Sequence, residues 1–223
     1  MKGLTRLLRV LVPTLVMATS AMAADYDVVI NNGRVMDPET NFDAVRNVGV
    51  KDGKIVVITE KAISGTETIN ARGHFVAPGF IEGHQHATDQ FSRKVNLRDG
   101  LTTQMDFEAG AGDIAKWYAE AEGKTQANYG MVVLATLARA TVLDGAEIVA
   151  DANDMGGLFP LVGRAAENAQ KQGRKPGWSS TLPNKEELTQ IMAYVDEGLR
   201  QGALGVGVPV GYMTAGVSQH ELY

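Results

Sequence analysis

His84 and His86 stand one residue apart in Pro78-Gly-Phe-Ile-Glu-Gly-His-Gln-His86, after a short, mostly apolar run from Phe75 to Ile81. That run reads as a buried strand rather than a half-exposed one. Side chains on a strand alternate between faces, so the two imidazoles point the same way and Gln85 points opposite. Two imidazoles on one face can share a divalent metal ion. The competing reading is a pair of loop histidines with nothing between them. The sequence has no cysteine, which excludes disulfides, thiolate ligands and a cysteine nucleophile.

The surrounding elements must hold this pair. From Tyr26 to Val76 the pattern is β. Asp27–Ile30 is a short apolar run stopped by Asn31-Asn32-Gly33, and Arg34–Met36 follows. Val45–Val50 alternates, Asp52-Gly53 marks a tight hairpin, and Lys54–Ile58 is the return strand. Thr68–Asn70 and His74–Ala77 complete a small sandwich-like region. After Pro78 the rhythm becomes strand, then helix. Strands are expected near 78–86, 101–108, 129–137 and 203–210. Helices are expected over Asp113–Glu122, Asp144–Ala152, Leu158–Gln172 and Lys185–Gln201, with a loop over Gly177–Pro183. Alternation of this kind builds a parallel sheet. A closed (β/α)8 barrel needs eight units and about 250 residues. Four units therefore mean either an open four-stranded sheet or the first half of a barrel.

Composition narrows the function classes. The net charge of −5 and the lack of a basic tract after the N-terminus exclude nucleic acid as the main partner. Lys2, Arg6 and Arg9 precede an uncharged apolar stretch, Val10–Met22, and Ala21-Met-Ala23 is a small-residue cleavage site. This is the plan of a signal peptide over residues 1–23, predicting an exported protein, periplasmic or secreted. Cleavage would remove three basic residues and no acidic one. The stretch is short for a bilayer span and no later one is longer, so no stable membrane insertion is expected after cleavage.

Several segments together resemble the amidohydrolase superfamily, and more narrowly its N-acyl-D-amino-acid deacylase branch. Asp27–Pro38 and Val48–Ile55 are similar to the start of that family's small β-domain. Ala77–His86 is similar to its first barrel strand and metal motif, with Glu82 where Asp is usual. Gly100-Leu-Thr-Thr103 and Gly198–Gly205 match the entries to its second and fourth strands. The resemblance implies an α/β fold: part of a small β-sandwich domain over 24–77, then the first half of a metal-dependent-hydrolase TIM barrel over 78–223. It also implies that His84 and His86 are metal ligands at the strand's C-terminal end, where barrel enzymes place their chemistry. A further, often bridging, ligand is a cysteine in D-aminoacylases. Here the best match is a carboxylate, Glu108 in Asp106-Phe-Glu-Ala-Gly110. Asp106 and Glu108 share a face by the period-2 rule, and Glu108 is favoured as nearer the strand's C-terminal end. Imidazole and carboxylate together suit zinc, one ion or two, with manganese and iron as alternatives.

The implied activity is hydrolysis of a non-peptide C–N bond, of an N-acyl (D-)amino acid or related small amide, by metal-activated water. The resemblance also implies two further histidines and an aspartate general base, all expected beyond Tyr223. His220, in a helix start, is given no role, nor is His74. Leu134-Ala135 stands where a Gly-His pair is often found, which bears on substrate contacts. One alternative is a truncated, non-catalytic relic acting at most as a binding protein. Half a barrel would leave edges and apolar faces uncovered, so the chain alone is expected to self-associate or unfold readily. Another alternative is a cyclic-amide hydrolase of the dihydroorotase or hydantoinase type. Its modified bridging lysine on the fourth strand has no counterpart in Ala203–Val210.

Overall fold

The computed structural model describes residues 25–147 and 155–212, with backbone alone at 155–157. The leader at 1–23, most of the helix expected over 144–152, and His220 lie outside the described residues. The chain divides into two compact units at Pro78/Gly79.

The first unit is one mixed sheet. β1 (Tyr26–Asp37), β2 (Phe42–Lys51), β3 (Lys54–Thr59) and β4 (Gly65–Asn70) run in the order β3-β2-β1-β4, and β5 (Phe75–Val76) pairs with the second half of β1. β1–β2 and β2–β3 are antiparallel, whereas β4 and β5 lie parallel to β1. Asp52 and Gly53 both have positive φ, as the expected tight hairpin requires. Asn31-Asn32-Gly33 does not end a strand. It forms a bulge inside β1, with Asn32 at φ 64° and the register shifting between Ile30 and Gly33. A short polar side chain tolerates that backbone, so the turn-like residues stay in the ladder. Val29, Val35 and Val48 are the buried valines of the sheet. No second sheet of this unit occurs among the described residues.

The second unit carries β6 (Phe80–Glu82), α1 (Gln90–Arg98), β7 (Leu101–Ala111), α2 (Ile114–Ala121), β8 (Asn128–Leu134), α3 (Ala135–Asp144), α4 (Met155–Lys171), α5 (Gly177–Ser180), α6 (Lys185–Arg200) and β9 (Val206–Gly207). Its four strands are parallel and in sequential order, β6-β7-β8-β9, as in the first four strands of a (β/α)8 barrel. They form an open sheet among the described residues. Ile114 and Trp117 of α2 pack with Met131 and Val133 of β8, backed by Tyr194 and Val195 of α6. Each such side chain contributes about 1.5–3 kcal/mol on burial. Leu134, Leu137, Leu161 and Ala165 bind α3 to α4.

Several expected elements are corrected. The strand of the histidine motif is short and lies at an edge, with Phe80 and Ile81 67% and 71% exposed rather than buried. α1 was not expected, although Asp89 caps it through the amides of Phe91 and Ser92. β8 stops at Leu134 and α3 takes up Ala135–Leu137. Asp144 ends a helix rather than starting one. The loop at 177–183 contains one helical turn. The strand expected over 203–210 shrinks to Val206–Gly207, led in by backbone bonds of Leu204 and Gly205 to Met131 and Val133 of β8, since glycine weakens a strand and Pro209 has no N–H to donate.

Candidate metal centre

The histidine motif leaves β6 at Glu82 and remains beside β7 in extended form. The amide of Phe107 donates to the Gly83 carbonyl at 2.8 Å and that of Gln85 to the Met105 carbonyl at 2.9 Å, flanking a bridge between His84 and Asp106. Glu82 turns back on its own chain, where Oε1 accepts the His84 amide at 2.8 Å. The register of β7 against β8 shifts between Asp106 and Ala111. Gly110 lies inside this irregularity at φ 62°, and a Cβ there would meet the Val132 carbonyl oxygen at 2.5 Å. Only glycine permits both that backbone and that approach. A bulge of this kind re-aims side chains at the end of a strand.

Three polar atoms converge as a result. His84 Nε2 lies 3.0 Å from His86 Nε2 and 2.9 Å from Glu108 Oε2, and His86 Nε2 lies 3.1 Å from the same oxygen. The imidazole rings meet edge to face, with centroids 4.6 Å apart. Behind them, His86 Nδ1 is 2.7 Å from Asp106 Oδ2, and Asp106 Oδ1 accepts the amides of Glu108 and Ala109 at 2.9 Å each. His84 is the most exposed of the four and Asp106 is only 2% exposed.

With both imidazoles neutral, hydrogen bonds do not satisfy this cluster. With Nδ1–H given to Asp106, a neutral His86 keeps a lone pair on Nε2. A neutral His84 has at most one Nε2 proton to give, to His86 or to Glu108. The 3.1 Å contact between His86 and Glu108 then sets lone pair against lone pair. A cation among the three atoms removes the conflict. The edges of the triangle are close to the roughly 3.3 Å between neighbouring ligands around a tetrahedral zinc ion, and two imidazoles with a carboxylate are a donor set that zinc accepts. The residues therefore fit a divalent metal.

His84, His86 and Glu108, all singled out in the sequence, come together. Asp106, weighed there as an alternative ligand, instead meets the far nitrogen of His86. His74 lies in the first unit, with Nδ1 3.2 Å from the Arg72 carbonyl oxygen. Beside the triangle is a cavity of about 400 Å3 with His86 and Glu108 on one wall and Leu134, Phe159, Val162 and Trp178 among the others. Leu134 thus supplies apolar wall where the family resemblance suggested a Gly-His pair. The roles of Phe159 and Trp178 had no signal in the sequence, since an apolar residue in a helical segment reads as core and one in a loop carries no direction.

No protein-family model matches the chain. In sequence, it is 50% identical to a dihydroorotase of Streptococcus pneumoniae over 84 residues, 37% of this chain and 18% of that protein. In structure, it is similar to N-acyl-D-glutamate deacylase from Bordetella bronchiseptica, crystallised with zinc and a phosphonate inhibitor. That match has a TM-score of 0.57 at 20% identity and covers 88% of this chain and 40% of the deacylase. A D-aminoacylase described as defining a novel subset of amidohydrolases gives 0.55 at 18% identity, over 85% and 40%. The chain spans less than half the length of each of these proteins. The fold is thus the N-terminal part of the amidohydrolase fold, a barrel begun but not closed within the described residues. Its structural neighbours include D-aminoacylases, and the resemblance noted in the sequence is borne out.

Proposed function

We propose that this chain is the N-terminal part of a metal-dependent hydrolase that cleaves the C–N bond of a small N-acyl D-amino acid. The observation that carries the reading is the convergence of His84 Nε2, His86 Nε2 and Glu108 Oε2 within 3.1 Å beside a cavity. These three residues would hold the ion, with zinc the metal best suited to the donor set. When bound, such an ion lowers the pKa of water and polarises an amide carbonyl. The chain's own contribution is to keep the ligand atoms aimed at one point and to line the adjoining cavity with apolar walls. Those walls limit water and accept the apolar part of a substrate. The similarity in structure to N-acyl-D-glutamate deacylase and D-aminoacylase supports the acyl-amino-acid reading.

A second reading, a cyclic-amide hydrolase, is favoured by the 50% identity to a dihydroorotase over 84 residues. The absence of lysine from Ala203–Val210 weighs the other way. The two readings share the metal site and differ in substrate. The test is metal content of the full-length protein, with hydrolysis of N-acetyl-D-amino acids measured beside dihydroorotate and hydantoin. Zinc at one or two equivalents, turnover of the acyl amino acids and loss of both in His84→Ala are expected. Turnover of the cyclic amides alone selects the second reading. Absence of metal and of all hydrolysis leaves the non-catalytic binding protein. Export through residues 1–23 belongs to the same proposal, and N-terminal sequencing of protein recovered outside the cytoplasm tests it.

A further inference from the structure

Asp106 is buried, and its two carboxylate oxygens do different things. Oδ1 accepts the amides of Glu108 and Ala109, each at 2.9 Å, and Oδ2 meets His86 Nδ1 at 2.7 Å. The backbone of the same residue is bridged to His84. One side chain therefore touches His86 and the main chain of Glu108, and its own main chain stands opposite His84. An ionised carboxylate only accepts hydrogen bonds, so His86 must carry its proton on Nδ1. The Nε2 lone pair is then left facing His84 and Glu108.

We propose that Asp106 is the positioning residue of the cluster: it selects the His86 tautomer that presents Nε2 and fixes the backbone from which Glu108 reaches it. This rests on the metal-centre reading of His84, His86 and Glu108. A carboxylate behind a metal-binding imidazole orients the ring and raises its basicity, and its loss weakens metal binding about 10–100-fold. The competing role is structural, a turn cap on the irregular end of β7.

Asp106→Asn separates the two roles. Its carbonyl oxygen still accepts the Glu108 and Ala109 amides, and its NH2 then faces His86 Nδ1. That group only donates, so Nδ1 must become the acceptor and the proton moves to Nε2. The reversed amide would set NH2 against two backbone N–H groups and is excluded. Nitrogen NMR of the metal-free full-length protein is expected to find His86 protonated on Nδ1 in the parent and on Nε2 in Asp106→Asn. Zinc affinity should fall about 10–100-fold in that variant, while the melting temperature of the metal-free protein stays near that of the parent. Asp106→Ala should lose both affinity and melting temperature. An Nε2-protonated His86 in the parent overturns the proposal, even if neither variant folds. Parent-like zinc affinity in Asp106→Asn, with loss in His86→Ala, also overturns it. If His84→Ala and His86→Ala both bind zinc as the parent does, the metal-centre reading has failed instead. The tautomer, measured without metal, still decides whether Asp106 sets it.

Discussion

Gly207 packs against the main chain of Glu108, and Gly207→Ala should be felt at the candidate metal centre. A Cβ on Gly207 would lie 2.6 Å from the Glu108 carbonyl oxygen and 2.7 Å from Val132 Cγ2. Val132 can rotate, but the carbonyl is main chain. Carbon and carbonyl oxygen settle at about 3.3–3.6 Å, so the two strands must part by roughly 0.7 Å. A binding site holds its geometry only within about 0.5 Å before function suffers. Glu108 Oε2 closes a triangle with edges of 2.9 and 3.1 Å, and the shift acts on its own backbone. Overpacking of this kind costs about 1–3 kcal/mol, and zinc affinity should fall at least roughly tenfold. Gly205→Ala is the control on the same stretch of chain. Its Cβ would have Val132 Cγ1 as nearest neighbour, at 4.0 Å, so both quantities should stay close to those of the parent. Calorimetric zinc titration and thermal melts of the full-length variants read the two effects. Parent-like affinity and melting temperature in Gly207→Ala would refute the close approach of β9 to β7. Equal losses in both variants would refute the argument that space, rather than strand propensity, decides.

Two further outcomes follow from elements away from the centre. Asn184 caps α6 through the amides of Glu186 and Glu187, and Glu187 returns a bond to the Asn184 amide. Asn184→Ala should therefore cost about 1 kcal/mol, lowering the melting temperature by about 2–4 °C, and an unchanged melt would contradict the cap. Burial, with Asp113 adding to it, pushes the Tyr194 phenol well above its ordinary value, and its hydroxyl donates to the Gly112 carbonyl. The unfolded chain releases that proton near pH ~10 while the folded chain keeps it, so Tyr194's contribution is intact below that pH and declines above it. Urea midpoints that fall equally from about pH 9 to about pH 11 in the parent and in Tyr194→Phe would sink the assignment.

How much was legible in the sequence depended on whether local pattern or long-range packing decided the outcome. The histidine pair was visible because a two-residue spacing keeps both rings on one side even beyond the end of the strand. Glu108 was reachable through the resemblance and its place near the strand end. The work of Asp106 was not reachable, because it depends on the bulge that sends Asp106 and Glu108 to different nitrogens of His86. α1 escaped because Gln90–Arg98 is mostly polar, although Asp89 and Gly100 bracket it. The boundary between β8 and α3 is hidden for a different reason. Residues from Gly130 to Ala140 are all buried, so no face is marked by polarity, and Leu134 provides no side-chain cap. β9 misled in the opposite direction. An apolar, glycine-rich run satisfies a strand pattern, but its bonding and pairing with β8 are confined to Leu204–Gly207.

The wall of the cavity needs its own support, and two buried charges on α3 provide it. α5 is a single turn, so most of its peptide groups need partners from outside it. Asp144 takes the amides of Gly177 at 2.9 Å and Trp178 at 3.2 Å, and Arg139 donates to the carbonyls of Gly177, Trp178 and Thr181. Arg174 Nη1 adds an ion pair to Asp144 at 2.9 Å. Opposite charges on one helix thus hold the donors and the acceptors of the same turn, and that turn carries Trp178 to the cavity beside His86 and Glu108. Asp144→Ala would leave two amides and a guanidinium without their carboxylate, at a cost of about 3–5 kcal/mol. Urea denaturation measures the loss. Trp178 fluorescence, read with Trp117→Phe as background, should shift to the red as the turn loosens. A cost below about 1 kcal/mol with unshifted fluorescence would show that α5 stands without its clamp. The placement of Trp178 would then have to come from its packing against the apolar cluster of α3 and α4.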